Sequence, residues 1–253
     1  MNRVLLIVEG ERKERAFFEQ YQKVKKMENN LDIVSFRQNI NELYRICKEY
    51  IFDGIKPNNI LDIIMDSNIS KSDKEKLKGK FTDIYLVFDL DIQNAITEDN
   101  VQDYLENVVE IIKFFNDSTS IGQILVNYPS MESIYHIKDK GVCSYKDIKV
   151  PASIIFNRKY KDYIYNNKLT FDCNKLTQND FNMLAAINLK KGNFIVNGVF
   201  DIVSNKQYEY ELTQEAIIKK QIEFINNDNY LYVLNTALFI DVDLFGKKLY
   251  FNE

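Results

Sequence analysis

The stretches VLLIVEGERKE, residues 4–14, and IYLVFDLD, residues 84–91, decide the fold. Each opens with five consecutive apolar residues, mostly branched or aromatic, and this pattern is typical of a strand buried on both faces of a parallel sheet. Each apolar run ends directly on a carboxylate, which is Glu9 in the first stretch and Asp89 in the second. A helical pattern follows the first stretch at residues 11–26. We therefore predict two buried parallel strands, each with an acid at its carboxyl end.

The rest of the first 150 residues alternates between strand and helix patterns. Short strands are predicted at residues 32–36 and 123–126, and amphipathic helices at residues 40–52 and 101–115. Such alternation is typical of right-handed crossovers between parallel strands. We predict an α/β fold in which a parallel sheet flanked by helices occupies residues 1–150.

Beyond residue 150 the pattern becomes mainly helical. We predict a C-terminal region, residues 151–253, that packs on the first part or mediates partner contact. Within it, residues 194–203 are predicted to be extended and residues 230–240 to be helical. The dense apolar run at residues 230–246 indicates core packing or an interface with a partner or a second copy of the chain. Asp241 and Asp243 in that run repeat an Asp-x-Asp spacing, but we assign them to no metal.

Composition excludes several classes of protein. A net charge of −4 argues against a protein that coats nucleic acid, but it is compatible with a nuclease that has clustered carboxylates and local basic patches. Three widely spaced cysteines argue against a disulfide framework or a zinc site and indicate a reducing, cytoplasmic location. No stretch has the pattern of a signal peptide or a membrane span, so we expect no membrane contact.

The acids at the strand ends predict a metal site. Because the carboxyl ends of parallel strands meet at one edge of the sheet, we expect Glu9, Asp89 and Asp91 to lie together there. Carboxylate oxygens at this spacing are suitable ligands for Mg²⁺ or Mn²⁺. Two simpler interpretations stay open: Glu9 complements the dipole of the helix that follows it, and the two aspartates occupy a turn at the strand end.

A strand ending in Glu-Gly, followed later by a strand ending in Asp-x-Asp, resembles the Toprim domain of topoisomerases, primases and several nucleases. The first motif is most similar to the RloB-like and OLD-type nuclease branch. In that branch an E-G-x-x-x-E segment runs into a helix with aromatics, and the matching residues here are Glu9, Gly10, Glu14, Phe17 and Phe18. The branch also carries an Asn-Pro-x-x-Glu segment. Here the corresponding NYPSMES, residues 127–133, has Tyr128 inserted before the proline and includes Glu132. The gap from Glu9 to Asp89 is longer than a minimal Toprim domain needs, so the resemblance implies an insertion at about residues 55–80.

The resemblance implies a metal-dependent nuclease that cuts RNA, tRNA included, or DNA, as the effector of an antiphage defence system with an ATPase partner. Glu9, Asp89 and Asp91 would hold one or two Mg²⁺ ions and activate water for phosphodiester hydrolysis. Glu14 or Glu132 would complete a second metal site or act as a base, and Lys13 would contact the phosphate. One alternative is a non-catalytic Toprim-like metal-binding module that assembles with an ATPase partner. Another is a primase-like nucleotidyl transferase.

A basic cluster with neighbouring aromatic residues is a candidate nucleic-acid contact. It consists of Arg158, Lys159 and Lys161, with Phe156, Tyr160 and Tyr163 beside them. Such a mixture can hold single-stranded nucleic acid through phosphate contacts and stacking, although a solvated helix face has the same pattern. His136 is the single histidine of the sequence and has no Cys or His at metal-ligand spacing, so we expect a structural role for it.

Overall fold

The computed structural model describes residues 3–55, 57, 60–67, 69–90, 92, 101–137, 142–157, 159–167, 169 and 171–251. Within these residues the main sheet has five strands, which are β1 (Val4–Val8), β2 (Leu31–Ser35), β3 (Asp83–Asp89), β4 (Asn116–Asp117) and β5 (Gly122–Asn127). Their order is β2-β1-β3-β5-β4, and all neighbouring pairs are parallel except the antiparallel β4 at the edge. The α/β class and the parallel sheet predicted from the sequence are therefore confirmed.

Helices cover the sheet on both faces. In the first 150 residues they are α1 (Lys13–Val24), α2 (Ile40–Asp53), α3 (Ile60–Met65), α4 (Lys71–Leu77), α5 (Val101–Phe114) and α6 (Val142–Tyr145). From β1 the chain continues to β2, which lies on one side of β1. From β2 it crosses back to β3, which lies on the other side of β1. Because such crossovers are right-handed, α1 lies on one face of the sheet and α2 lies with α5 on the opposite face. The predicted insertion contains α3 and α4, and α4 contacts the edge strand β2.

Burial explains why the central strands form where they do. Every residue of β1 is buried, and so is every residue of β3 after Asp83. A strand that is covered on both faces has to be apolar throughout, which is the pattern that identified both strands in the sequence. The helix α2 has its own local determinants: the Asn39 side chain accepts a hydrogen bond from the Glu42 amide at its start, and Gly54 takes a left-handed conformation at its end.

The C-terminal region packs on the first 150 residues and shares their hydrophobic core. Its elements are β6 (Lys149–Pro151), α7 (Ala152–Phe156), α8 (Tyr160–Asn166), α9 (Gln178–Asn197), α10 (Asn205–Tyr210), α11 (Gln214–Asp228), β7 (Tyr230–Tyr232) and α12 (Phe239–Leu249). Tyr128 and Leu234 exchange backbone hydrogen bonds of 2.8 and 2.9 Å, and the Thr236 hydroxyl donates to the Val126 carbonyl at 2.8 Å. One continuous hydrophobic core includes residues of both parts of the chain.

Two local predictions for the C-terminal region are wrong. Residues 194–197 are not extended, because α9 runs through them from a capping box at Thr177 and Asp180 to Gly198, which is left-handed. Residues 230–232 are not helical, because they form β7 and pair with the distant strand β6. The local pattern of apolar residues gives no information about a pairing strand that is about eighty positions away in the sequence.

Among the described residues, no helix is long and apolar enough to cross a membrane.

Candidate functional site

The candidate site lies at the point where the strand order of the sheet reverses. From β1 the chain goes to β2 on one side, whereas β3 lies on the other side of β1. The connections after β1 and β3 therefore separate, and a crevice is expected at the carboxyl ends of these two strands. Glu9 directly follows β1, and Asp89 is the last residue of β3.

Glu9 and Asp89 are in direct contact at this point. The Asp89 amide donates a 3.0 Å hydrogen bond to Glu9 Oε2, and the Glu9 amide donates to the Val87 carbonyl at 3.1 Å. The first bond holds the Glu9 carboxylate against the end of the neighbouring strand. Two acids that are 80 positions apart in the sequence are therefore adjacent in the fold, as the strand pattern predicted.

The Asp89 side chain is held from a second direction. Its Oδ1 accepts a 2.8 Å hydrogen bond from the Met131 amide and a 3.2 Å bond from Asn127 Nδ2. Asn127 is fully buried at the end of β5, and its Oδ1 accepts from the Ala237 amide at 3.2 Å. Asp89 itself is 6% exposed, so this carboxylate has a fixed orientation. The C-terminal region contributes to that orientation through Ala237.

An open cleft of about 720 Å³ extends from these acids. Its walls come from the start of α1, the connection after β2, the end of β3 and parts of the C-terminal half. The lining residues are Glu9, Gly10, Glu11, Arg12, Lys13, Glu14, Arg37, Gln38, Asn39, Glu42, Asp89, Glu132 and Lys161. The lining contains both acids and bases, so a ligand with both anionic groups and a bound cation would find partners for each.

Glu14 folds back over Gly10. A Cβ at position 10 would overlap the Glu14 carboxylate, so the absence of a side chain there leaves the space that this carboxylate occupies. Burial raises the pKa of Glu14 above its ordinary value, and the negative charge of Glu132 raises it further. The Glu14 carboxyl therefore keeps a proton to a higher pH than an exposed glutamate does.

Glu132 differs from Glu14 because it is paired with lysines. Its Oε1 lies 3.1 Å from Lys13 Nζ and 3.8 Å from Lys161 Nζ, and its Oε2 accepts a 2.9 Å hydrogen bond from the Ser130 hydroxyl. Burial alone would raise the pKa of Glu132, but the two lysines and Ser130 outweigh burial, and the pKa is lowered. Glu132 is therefore an ionised side chain, 4% exposed, that fixes two ammonium groups at the cleft.

The structure brings six of the residues predicted from the sequence to this cleft, namely Glu9, Lys13, Glu14, Asp89, Glu132 and Lys161. Two other predicted residues, Asp91 and Arg158, lie outside the residues that the structure describes. Lys159 is exposed and does not line the cleft. His136 is 7% exposed, and its Nε2 lies 3.1 Å from the Tyr160 hydroxyl, which is the structural setting expected for it.

The donor chemistry at this edge fits a hard divalent cation. Glu9 and Asp89 present carboxylate oxygens, the ligands that Mg²⁺ prefers, at the mouth of a cleft wide enough to admit water and phosphate. Among the described residues, however, no group of three or more His, Cys, Asp and Glu side chains is close enough to hold a metal ion. Two of the three predicted ligands, Glu9 and Asp89, are adjacent in the structure, and the third, Asp91, lies outside the described residues, so the metal site stays a prediction.

Three residues in or beside the cleft were not identified from the sequence: Arg37 lines it, Ser130 contacts Glu132, and Tyr165 lines the adjoining cavity. Ser130 and Arg37 belong to loops, and Tyr165 lies in the last turn of α8, a short helix far from the motifs in sequence. Arg37 has a positive φ of 67° and forms an ion pair with Glu11. A left-handed non-glycine residue at a strand end is a feature of backbone conformation, and the sequence gives no indication of it.

The sequence matches no family model, and searches of curated proteins and of solved structures find no similar protein. The resemblance to Toprim nucleases therefore stays a prediction based on the motifs.

Proposed function

We propose that this chain is a Mg²⁺-dependent nuclease that hydrolyses phosphodiester bonds at the cleft beside Glu9 and Asp89. The observation that carries the proposal is the contact between these two residues at the strand-order reversal, since ligands of open α/β sheets bind at that position. Two lysines that line the same cleft, Lys13 and Lys161, support a phosphate-bearing substrate.

In this proposal Glu9 and Asp89 hold the cation, with Asp91 as the third ligand. Mn²⁺ would be able to replace Mg²⁺, because both accept carboxylate oxygens. When bound there, Mg²⁺ would supply a Lewis acid that offsets the charge developing on the phosphate. The hydrogen bonds from Met131 and Asn127 to Asp89 keep that carboxylate in one orientation, so little reorganisation accompanies metal binding.

The other residues of the cleft have separate roles. Lys13 and Lys161 bind non-bridging phosphate oxygens, and Glu132 positions both ammonium groups. Glu14, whose pKa is raised, exchanges a proton at its carboxylate with a water molecule in the cleft. The sequence left open that Glu132 acts as the base. We assign that role to Glu14 instead, because Lys13 and Lys161 already pair with the Glu132 oxygen that would accept the proton.

From the resemblance alone, we also propose a cytoplasmic effector of antiphage defence that works with an ATPase partner. RNA, including tRNA, and DNA are both candidate substrates.

A cleavage assay tests the proposed activity. The purified chain is incubated with single-stranded DNA, duplex DNA and bulk tRNA, each with Mg²⁺, with Mn²⁺ and with EDTA. We expect cleavage of at least one substrate with either metal, no cleavage in EDTA, and loss of cleavage in Asp89→Asn and in Glu9→Gln. Asp83→Asn is the matched control, since Asp83 lies at the opposite end of the same strand.

Two results would contradict the proposal. Cleavage that persists in EDTA would exclude a metal-dependent reaction. Wild-type protein that cuts nothing, even with its natural ATPase partner present, would favour the non-catalytic metal-binding module.

A further inference from the structure

A small cavity adjoins the cleft on the side of the two lysines. Its volume is about 160 Å³, and we call it the tyrosine notch. The residues that line the notch are Lys13, Glu132, Tyr135, Lys161, Ile164 and Tyr165. Three of them, Lys13, Glu132 and Lys161, also line the cleft, so the two spaces are continuous.

The charged side of the notch is fixed by Glu132. This buried carboxylate pairs with Lys13 and Lys161, whose side chains are 53% and 64% exposed. Both ammonium groups are therefore oriented by a buried anion while they remain accessible to a ligand. A phosphate that binds between them would exchange water for two charge-assisted contacts.

The other side of the notch is aromatic and apolar. Tyr165 is 64% exposed although it is a large ring, and Lys13 Nζ lies 5.9 Å from the centre of that ring. Ile164 is buried and also lines the notch. Tyr135 is held in place by an edge-to-face contact with Phe171, with ring centres 5.1 Å apart. The notch thus combines an accessible ring, a rigid ring and an apolar floor.

We propose that the tyrosine notch receives one unstacked nucleobase, which stacks on Tyr165 while its phosphate contacts Lys13 and Lys161. The volume of about 160 Å³ is well under the roughly 300 Å³ of a pocket for a drug-sized ligand, so one planar group fits and a base pair does not. A base inside a duplex is stacked on both faces and does not reach such a ring unless it is flipped out.

This inference rests on the proposed function, because it assigns the substrate class of the same cleft. The preferred substrate is a single strand or a loop of nucleic acid, and perfectly paired duplex is disfavoured. Tyr165 supplies stacking that every base can use, so the notch selects strandedness and not base sequence.

The test measures binding without catalysis. A labelled strand of ~12 nucleotides, within the usual site size of such grooves, is titrated with the full chain in EDTA, and the same strand is also presented as a duplex. Fluorescence anisotropy gives the dissociation constants. We expect tighter binding of the single strand. Tyr165→Ala should weaken that binding by about 5- to 150-fold, as loss of one base-stacking contact does.

Three variants make the result specific. Tyr165→Phe keeps the ring and should bind like wild type. Lys161→Ala should weaken binding and flatten its dependence on salt concentration. Tyr210→Ala is the control for removing an exposed tyrosine, because Tyr210 is 74% exposed in α10, away from the cleft, and it should have no effect.

The inference is overturned if Tyr165→Ala binds the single strand as wild type does. It is also overturned if duplex binds as tightly as single strand, or if Tyr165→Phe is as weak as Tyr165→Ala. These outcomes are independent of the nuclease activity. Selective binding that requires Tyr165, with no cleavage even when the ATPase partner is present, would support the notch and contradict the nuclease. Cleavage together with binding that is insensitive to Tyr165 would support the nuclease and overturn the notch.

Discussion

The buried hydrogen bonds of Asp89 allow the geometry of the site to be tested without any ligand. Asp89→Ala removes the acceptor of the Met131 amide and of the Asn127 side-chain amide. A buried donor left without a partner costs about 1–3 kcal/mol. The Met131 amide loses this acceptor, and Asn127 Nδ2 keeps only a weak 3.7 Å contact with Met131 Sδ, so the variant should lose about 3 kcal/mol of unfolding free energy. For a protein of this size, that loss lowers the melting temperature by about 6–12 °C.

Asp89→Asn is the informative comparison. Its side-chain oxygen can still accept both hydrogen bonds, so we expect less than about 1 kcal/mol of destabilisation from this variant. Both variants, with Asp83→Ala as a control at the far end of the strand, are compared by thermal melting and by urea unfolding in EDTA. If the Ala and Asn variants melted together, Asp89 would not receive these bonds and the reasoning about its fixed orientation would fail.

Three further predictions concern the carboxylates, and a fourth concerns the single histidine. Because burial raises the pKa of Glu14, ionising this carboxyl at neutral pH opposes folding. Glu14→Gln should therefore stabilise the protein at pH 7 but not at a pH below 4.5, the ordinary pKa of a glutamate, and urea unfolding at a series of pH values measures this. The pKa of Glu132 is lowered, so Glu132→Gln should destabilise at pH 7, and this difference should vanish as pH falls through the lowered pKa. Asp241→Ala should cost about 3–5 kcal/mol in urea unfolding, because it removes the counter-ion of the buried Lys25 ammonium, 2.5 Å from Asp241 Oδ1, and leaves the neutral Asn182 Oδ1 at 2.6 Å as a hydrogen-bond acceptor; a loss under about 1 kcal/mol would contradict the pair. Burial lowers the pKa of His136 to about 4, so the free energy of unfolding should fall as pH drops from 6.5 toward that value, because the unfolded chain takes up the proton first. In the folded protein the ring stays neutral over that range, so its ring protons should not shift in NMR spectra between pH 8 and about pH 5.

Much of the sheet could be predicted because its central strands are covered on both faces. Continuous apolar runs as short as those of β1 and β3, each ending on an acid, are typical of buried parallel strands, and their burial in the structure is complete apart from Asp83. The short strand β7 has no such pattern. It forms because β6 is presented beside it, and a local window contains no information about that partner.

Part of the candidate site could likewise be predicted from the sequence, and part could not. The adjacency of Glu9 and Asp89 followed from the rule that parallel strands end at one edge, and the structure has that contact. The pairing of Glu132 with Lys161 did not follow, because α8 reaches the cleft only through tertiary packing. Sequence patterns therefore named Lys161 as a candidate nucleic-acid contact, whereas its position beside Glu132 at the cleft required the structure.

Metal binding at Glu9 and Asp89 is the claim on which the proposed mechanism depends. Isothermal titration of the full chain with Mn²⁺, repeated with Mg²⁺, measures it directly, with Glu9→Gln, Asp89→Asn and the control Asp83→Asn run in parallel. We predict saturable binding to wild type and to the control, and an affinity at least about tenfold lower in each of the two site variants. Wild-type protein without saturable binding, or site variants that bind Mn²⁺ as tightly as the control does, would contradict the claim.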